Sequence, residues 1–325
     1  MKKLISLIIA VIFISAPVCS CSDGTKMPKA ENNKTILTVG NEKMCYDYVR
    51  YVFMNTKADI DGGDENYWIN NPDALEELKA AVIETISHNR AIAMLAKKHG
   101  VSLGKKDKQN INAELEGFKS DKSSWAAIKK ENYMTDYSYV YVQRFTYLWS
   151  KAYEHITDIE NDIIKSDDQT VLDDVPKNFR CIRYVFIEYS ENNKEEKKAL
   201  AQSVYDRASS GEDFKSLIEN YGEDPTMDRL IDEGYYYTVT SITEEVENAV
   251  NDLDIGEISP VTETAFGFFV VERLDIDMEY VEENLSDFVE QYVGRVFNEM
   301  VLSIKNEMKI EYSDFWKNLK ISDFK

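Results

Sequence analysis

The chain of 325 residues reads as an α+β protein: a mainly helical body contributed by both ends of the chain, with a β-containing module inserted between them. Three observations predict this. Apolar residues recur at helical spacing through most of residues 45–155, a block of period two opens at Phe179, and a long amphipathic stretch near the end has a stripe it cannot bury alone. With 43% hydrophobic residues the chain has enough apolar surface for packed cores, so global disorder is excluded. Its 38 basic residues face 59 acidic ones, a formal charge of -21, which argues against a phosphate-neutralising surface and a nucleic-acid partner.

Lys2 and Lys3 precede a mainly apolar run from Leu4 to about Val18. That run is too short for a comfortable membrane span and suits the core of a signal peptide, so residues 1–20 are expected to be removed. Val18-Cys19-Ser20-Cys21 resembles a bacterial lipobox, which implies a Cys that becomes the acylated first residue of the mature chain. Cys21 is the expected lipidation site. Cys19 and ordinary secretory cleavage nearby stay open as alternatives. Residues 21–34 are polar, with Gly24 and Pro28, and are expected to form a flexible tether. Processing removes two lysines and no acid, so anionic headgroups should repel the remaining body and attachment should come from the lipid alone. Cys45 and Cys181 then fall in different expected domains and are read as two unpaired thiols, although an oxidising compartment leaves pairing open.

Residues 35–165 form the expected helical N-terminal domain. Ile36 to Val39 with Gly40-Asn41 predicts a short strand and turn, and Tyr46, Val49 and Phe53 a helix. Asn71-Pro72-Asp73 offers a start signal for a helix with Leu78, Val82 and Ile86 on one face, closed by Gly100. Further helices are predicted from about Asp107 to Phe118, from Ser124 to Asn132 and from Asp136 to about His155. Residues 166–177 are acidic and weakly periodic and read as a linker.

The expected module spans residues 178–276. It opens with a strand in which Cys181, Arg183, Val185 and Ile187 alternate with Ile182, Tyr184 and Phe186, and it closes with Gly267 to Leu274. Helices are predicted from Glu195 to about Ser210, from Asp213 to Tyr221 and from Glu244 to Leu253. Residues 277–325 supply the long helix, from Val281 to about Met308, and an extended Lys309 to Tyr312. The simplest partner for its stripe is the helical first domain.

Within the module, Ser210-Gly211-Glu212-Asp213-Phe214, Tyr221-Gly222-Glu223-Asp224-Pro225, Leu253 to Val261 and Phe266-Gly267-Phe268-Phe269-Val270-Val271 stand in an order and at a spacing that resemble the landmarks of parvulin-type peptidyl-prolyl isomerases. The flanking helical segments resemble the split chaperone domain of PrsA-like and SurA-like extracytoplasmic foldases. The resemblance implies a small antiparallel sheet flanked by helices, and no cofactor. It also implies membrane anchoring of the Gram-positive lipoprotein type, with unfolded, newly secreted, Pro-containing polypeptides as partners.

The family usually carries a His in the opening strand and another in the closing strand. Tyr184 and Phe269 stand there instead, while Asp224 matches the acidic residue that faces the substrate amide. These three are the candidate catalytic residues, Asp224 polarising the site and Tyr184 offering a hydroxyl. The family's proline cup maps onto Glu233, Ile242 and Val246, with Tyr235 beside them as a further candidate substrate contact. The plain alternative makes Tyr184 and Phe269 core aromatics and Asp224 the cap of a turn.

His88, His99 and His155 lack metal-ligand spacing and are expected to be solvent-exposed, so no metal is predicted. Hydrolase, kinase and dehydrogenase readings have no supporting motif. The acidic pairs Glu244-Glu245 and Glu282-Glu283 read as solvated helix faces. Three functions are carried forward: a membrane-anchored foldase with a prolyl isomerase module, a non-enzymatic holdase whose module has decayed, and a solute-binding surface lipoprotein. Oligomeric state is left open, a dimer included.

Overall fold

The computed structural model describes residues 24–64, 66–190, 192–239 and 241–324. The expected signal peptide and the candidate lipidation site Cys21, with its alternative Cys19, lie outside the described residues. In chain order the elements are β1 (Thr35–Val39), β2 (Glu42–Cys45), α1 (Tyr46–Asp61), α2 (Tyr67–Asn70), α3 (Ala74–Lys98), α4 (Lys105–Lys119), α5 (Lys122–Glu131) and α6 (Asp136–Thr157). Then follow α7 (Asp168–Asn178), β3 (Phe179–Glu188), α8 (Lys194–Ser209), α9 (Phe214–Tyr221), α10 (Pro225–Arg229), β4 (Tyr235–Thr238), α11 (Glu244–Asn251), β5 (Thr262–Glu263) and β6 (Gly267–Leu274). The chain ends with α12 (Met278–Glu283), α13 (Leu285–Asn306), β7 (Ile310–Tyr312) and α14 (Asp314–Lys317). It divides into two compact units, one of residues up to Ile163 and from Phe297 onward, the other Ile164–Val296.

In the first unit, β1 pairs antiparallel with β2 on one side and with β7 on the other, so the chain's end completes a sheet begun near its start. Leu78, Val82 and Ile86 of α3 repeat every four residues and bury the same face against Val49 and Phe53 of α1. Trp316, Leu319 and Phe324 close this core from the C-terminal end. Phe297 of α13 meets Tyr153 of α6, with ring centroids 5.1 Å apart, and Lys305 pairs with Glu84 of α3 at 2.5 Å. The N-terminus of α6 is fixed by a reciprocal cap: Ser138 N–H donates to Thr135 Oγ1 at 3.1 Å and Thr135 N–H to Ser138 Oγ at 2.8 Å.

The segment expected as a flexible tether is tied down over residues 24–34. The amide of Asn112 donates to the carbonyls of Gly24 and Lys26 at 2.7 and 2.8 Å, and Arg144 donates to that of Thr25 at 2.5 Å. The buried Asp47 carboxylate accepts from the N–H groups of Glu31 and Asn32 at 2.8 and 3.0 Å. Polar composition alone suggests a tether; these partners, far away in sequence, hold it in place.

In the second unit the sheet order is β4-β3-β6-β5, all antiparallel. β3 is central and its Val185 and Ile187 are fully buried, each such side chain being worth roughly 1.5–3 kcal/mol. The acidic stretch expected as a linker is mostly helix α7. Asp167 caps it through Thr170 N–H at 3.1 Å, and Val171 and Val175, four residues apart, are buried on one side. Two buried residues make too weak a periodic signal among so many acids. The long C-terminal helix is interrupted at Asn284, which separates α12 from α13. Cys181 is buried and Cys45 half-buried, both as free thiols. His88, His99 and His155 are half-buried rather than exposed, and among the described residues no group of metal-ligating side chains gathers.

Candidate active site

In a sheet, directly opposed residues point to the same face. Phe186 opposes Phe269, Ile182 opposes Tyr235 and Tyr184 opposes Val271, so Tyr184, Phe186, Phe269 and Tyr235 share one face of the second unit's sheet. Their rings form a run: Tyr235 to Tyr184 is 6.4 Å between centroids, Tyr184 to Phe269 5.4 Å and Phe269 to Phe186 4.8 Å. Tyr184 is buried, whereas Phe186, Phe269 and Tyr235 keep part of their surface open. Gly267 is what lets Phe186 lie there, since a Cβ at that position would sit 2.4 Å from Phe186 Cε2.

Asp224 reaches this face from the loop before α10. Glu223 N–H donates to the Phe186 carbonyl at 2.9 Å, and the Glu223 carboxylate accepts from Glu188 N–H at 2.7 Å and pairs with Lys197 at 2.5 Å. The loop is therefore fastened to β3. Asp224 is the N-cap of α10, its Oδ1 accepting from Thr226 N–H at 2.8 Å, with Pro225 at the first helical position. Its other oxygen, Oδ2, accepts from the Tyr184 hydroxyl at 2.6 Å. Asp224 thus caps a turn and also binds Tyr184.

Burial pushes the Asp224 carboxyl up, but the Tyr184 hydroxyl, the N–H and hydroxyl of Thr226 and the charge of Arg229 outweigh it, leaving the group below its ordinary range. Burial, and then the Asp224 carboxylate, push the Tyr184 phenol well up. At neutral pH the pair is therefore a neutral phenol donating to a carboxylate. Thr226, Arg229 and Phe186 were missed by the sequence reading. The run Asp224-Pro225-Thr226 carried the signal for the first of these, since Asp followed by Pro is a helix-start pattern.

Of the remaining candidates, Ile242 and Val246 belong with Tyr184, Tyr235 and Phe269 to one hydrophobic cluster, whereas Glu233 does not. Val246 on α11 is only 4% exposed and is buried in the same core as Tyr184, and Ile242, like Phe269 and Tyr235, is half-buried against that core. Glu233 is placed differently from the expected proline cup. It lines a depression of about 370 Å³ with Arg183, Tyr236, Asp277 and Tyr280. Arg183 and Tyr236 alternate with Tyr184 and Tyr235, so they belong to the opposite face of the sheet. The cause is local. Gly234, at φ +84°, brings the backbone so close to β3 that a Cβ would meet Cys181 Sγ at 2.5 Å, and Cys181 Sγ lies 3.6 Å from the Glu233 carbonyl.

The four-stranded antiparallel sheet, its flanking helices and the Asp224 loop define the class of protein. Residues 171–276 match the PPIC-type peptidyl-prolyl isomerase domain, and the chain carries that domain there. Along its length it is homologous to PrsA foldases. It is 23% identical over 343 residues to foldase protein PrsA of Clostridium tetani, covering 98% of this chain and 97% of that one. It is 22% identical over 332 residues to that of Caldanaerobacter subterraneus, covering 100% and 97%. Over 94 residues it is 35% identical to chaperone SurA of Pseudomonas savastanoi, covering 29% of this chain and 22% of that one.

Proposed function

We propose that the protein is an extracytoplasmic foldase, anchored to the membrane through Cys21, that holds unfolded secreted polypeptides and isomerises their X–Pro bonds at the face carrying Tyr184, Asp224 and Phe269. Its module, approximately residues 178–276, acts as a domain inserted into the helical body. The single observation that carries the isomerase reading is the 2.6 Å bond between Tyr184 and Asp224 beside an open aromatic run.

Rotation about an X–Pro amide needs no covalent intermediate; its barrier of roughly 18–20 kcal/mol comes from conjugation between nitrogen and carbonyl. Phe269, Phe186 and Tyr235 offer apolar surface for the pyrrolidine ring. The Asp224 carboxylate, placed beside the amide oxygen, disfavours the dipolar O⁻–C=N⁺ form and so favours the twisted amide. About 4 kcal/mol of such differential binding gives on the order of a thousandfold acceleration.

One observation favours the holdase reading. The Tyr184 hydroxyl already donates to Asp224, and Tyr184 is only 8% exposed, so little of it is left to meet a substrate. A proline-limited refolding assay separates the two. The isomerase reading predicts a faster slow phase at catalytic amounts of protein. Suppressed aggregation with an unchanged slow phase leaves the holdase.

A further inference from the structure

The strongly acidic composition conceals a basic pole. Between Lys97 and Lys108 the sequence holds five lysines and one acid, Asp107. Lys97 and Lys98 end α3 and Lys105 and Lys106 begin α4, all four exposed, with Lys108 half-buried one turn on. Asp107 is already engaged. It accepts from Gly104 N–H at 2.8 Å and lies 3.5 Å from Lys151 of α6, which brings a sixth lysine to the same place. Lys98 and His155 also act electrostatically on the half-buried His99 between the two helices, which after burial helps to hold its imidazole below the ordinary range. The neighbouring acids of α4 have partners: Glu114 accepts from Tyr147 at 2.9 Å, and Glu116 pairs with Lys119 at 2.9 Å. Glu154 on α6 and, just beyond His155, Asp158 and Glu160 remain as exposed negative charges nearby.

The start of the described chain lies close to this pole. Asn112, which holds the carbonyls of Gly24 and Lys26, is one turn of α4 beyond Lys108, about 6 Å along the axis. Two residues separate Cys21 from Gly24, so three Cα-to-Cα steps give a reach of at most about 11 Å. Charges more than about 8 Å apart are largely screened at physiological ionic strength, so acids elsewhere on the body contribute little at a surface that this pole touches. Net charge therefore predicts repulsion where local charge predicts attraction.

We propose that the pole formed by Lys97, Lys98, Lys105, Lys106, Lys108 and Lys151 docks on anionic phospholipid headgroups, turning this end of the helical unit toward the membrane that holds the N-terminus. The membrane setting rests on the lipidation reading, whereas the lipid contact does not, so the two can fail separately. Lipidation fails if the chain extracted from membranes lacks the mass of a diacylglyceryl-modified Cys21.

Docking is tested with unlipidated residues 21–325 and sedimented vesicles of either phosphatidylcholine alone or phosphatidylcholine with 30% phosphatidylglycerol. Binding to the anionic vesicles is expected at least tenfold above the neutral ones, falling steeply between 50 and 300 mM salt. Lys97→Glu, Lys98→Glu and Lys106→Glu together should abolish that excess, whereas Lys317→Glu with Lys320→Glu, also exposed, should keep it. Equal binding to both vesicles, or an excess surviving the triple variant, overturns the proposal. So does soluble polyphosphate competing as well, phosphate for phosphate, as the vesicles themselves, because the pole would then be a general anion site.

Discussion

The two faces of the four-stranded sheet each hold a partly buried acid beside a partner from β3, and the two acids titrate in opposite directions. On one face Asp224 receives the Tyr184 hydroxyl at 2.6 Å and Thr226 N–H at 2.8 Å, and its carboxyl is shifted down despite burial. On the other, Glu272 has Arg183 at 3.4 Å, its buried Oε2 accepts no hydrogen bond, and burial wins, shifting it up. A nearby opposite charge without directed hydrogen bonds does not offset desolvation; two aligned donors do. The face with the satisfied acid can hold a stable carboxylate, and the other cannot do so at equal cost.

The largest effect should come from closing the first face. Gly267→Ala puts a Cβ at 2.4 Å from Phe186 Cε2 and 2.5 Å from the Ile187 carbonyl, and backbone cannot yield easily. Chemical denaturation should show a loss of about 3 kcal/mol, the upper range for overpacking. A loss within error would mean that Phe186 is not held as described.

Tyr184→Phe comes next. Removing one hydrogen bond to a carboxylate should cost about 2 kcal/mol and raise the Asp224 pKa toward its ordinary value, which carbon-13 titration of the carboxyl reads directly. An unmoved Asp224 titration would break the contrast between the faces.

The pH dependence sharpens it. A carboxyl with a depressed folded pKa adds stability that is present above its unfolded value and lost as pH falls through the folded one. Asp224→Asn should therefore be less stable than the parent at pH 7, with the gap closing below about pH 4, near the unfolded carboxylate value. For Glu272 the sign reverses, because a raised folded pKa means that stability falls as pH rises through the ordinary value toward the raised one. Glu272→Gln should leave stability at pH 7 unchanged or raise it by a few tenths of a kcal/mol, the smallest effect of the series. Parallel melting curves at pH 7 and well below pH 4, at about pH 2.5, read both signs, and a Glu272→Gln loss resembling that of Asp224→Asn would make the two faces alike.

What was legible in the sequence follows the same physics. β3 and β6 announce themselves because each carries a short continuous apolar run, Tyr184 to Ile187 and Phe268 to Val271, and the landmark residues Asp224 and Gly267 mark turns whose backbone demands are local. α7 was hidden because its helix rests on one cap and two valines. The arm over residues 24–34 was hidden because Asp47, Asn112 and Arg144, which hold it, lie far along the chain. Glu233 was misplaced because a motif gives order along the chain, while the face a side chain takes is set by strand register and by the Gly234 turn. Tyr184 and Asp224 were each legible as positions; their mutual bond, 40 residues apart in sequence, was not.

The most direct test of the account is exchange NMR on a short X–Pro peptide, measuring the cis–trans rate with catalytic amounts of the parent chain and of Asp224→Asn. The account predicts exchange faster than the peptide alone with the parent and at least a tenfold smaller acceleration with the variant, both proteins remaining folded at the pH used. Equal acceleration by the two, or none by the parent, would contradict it.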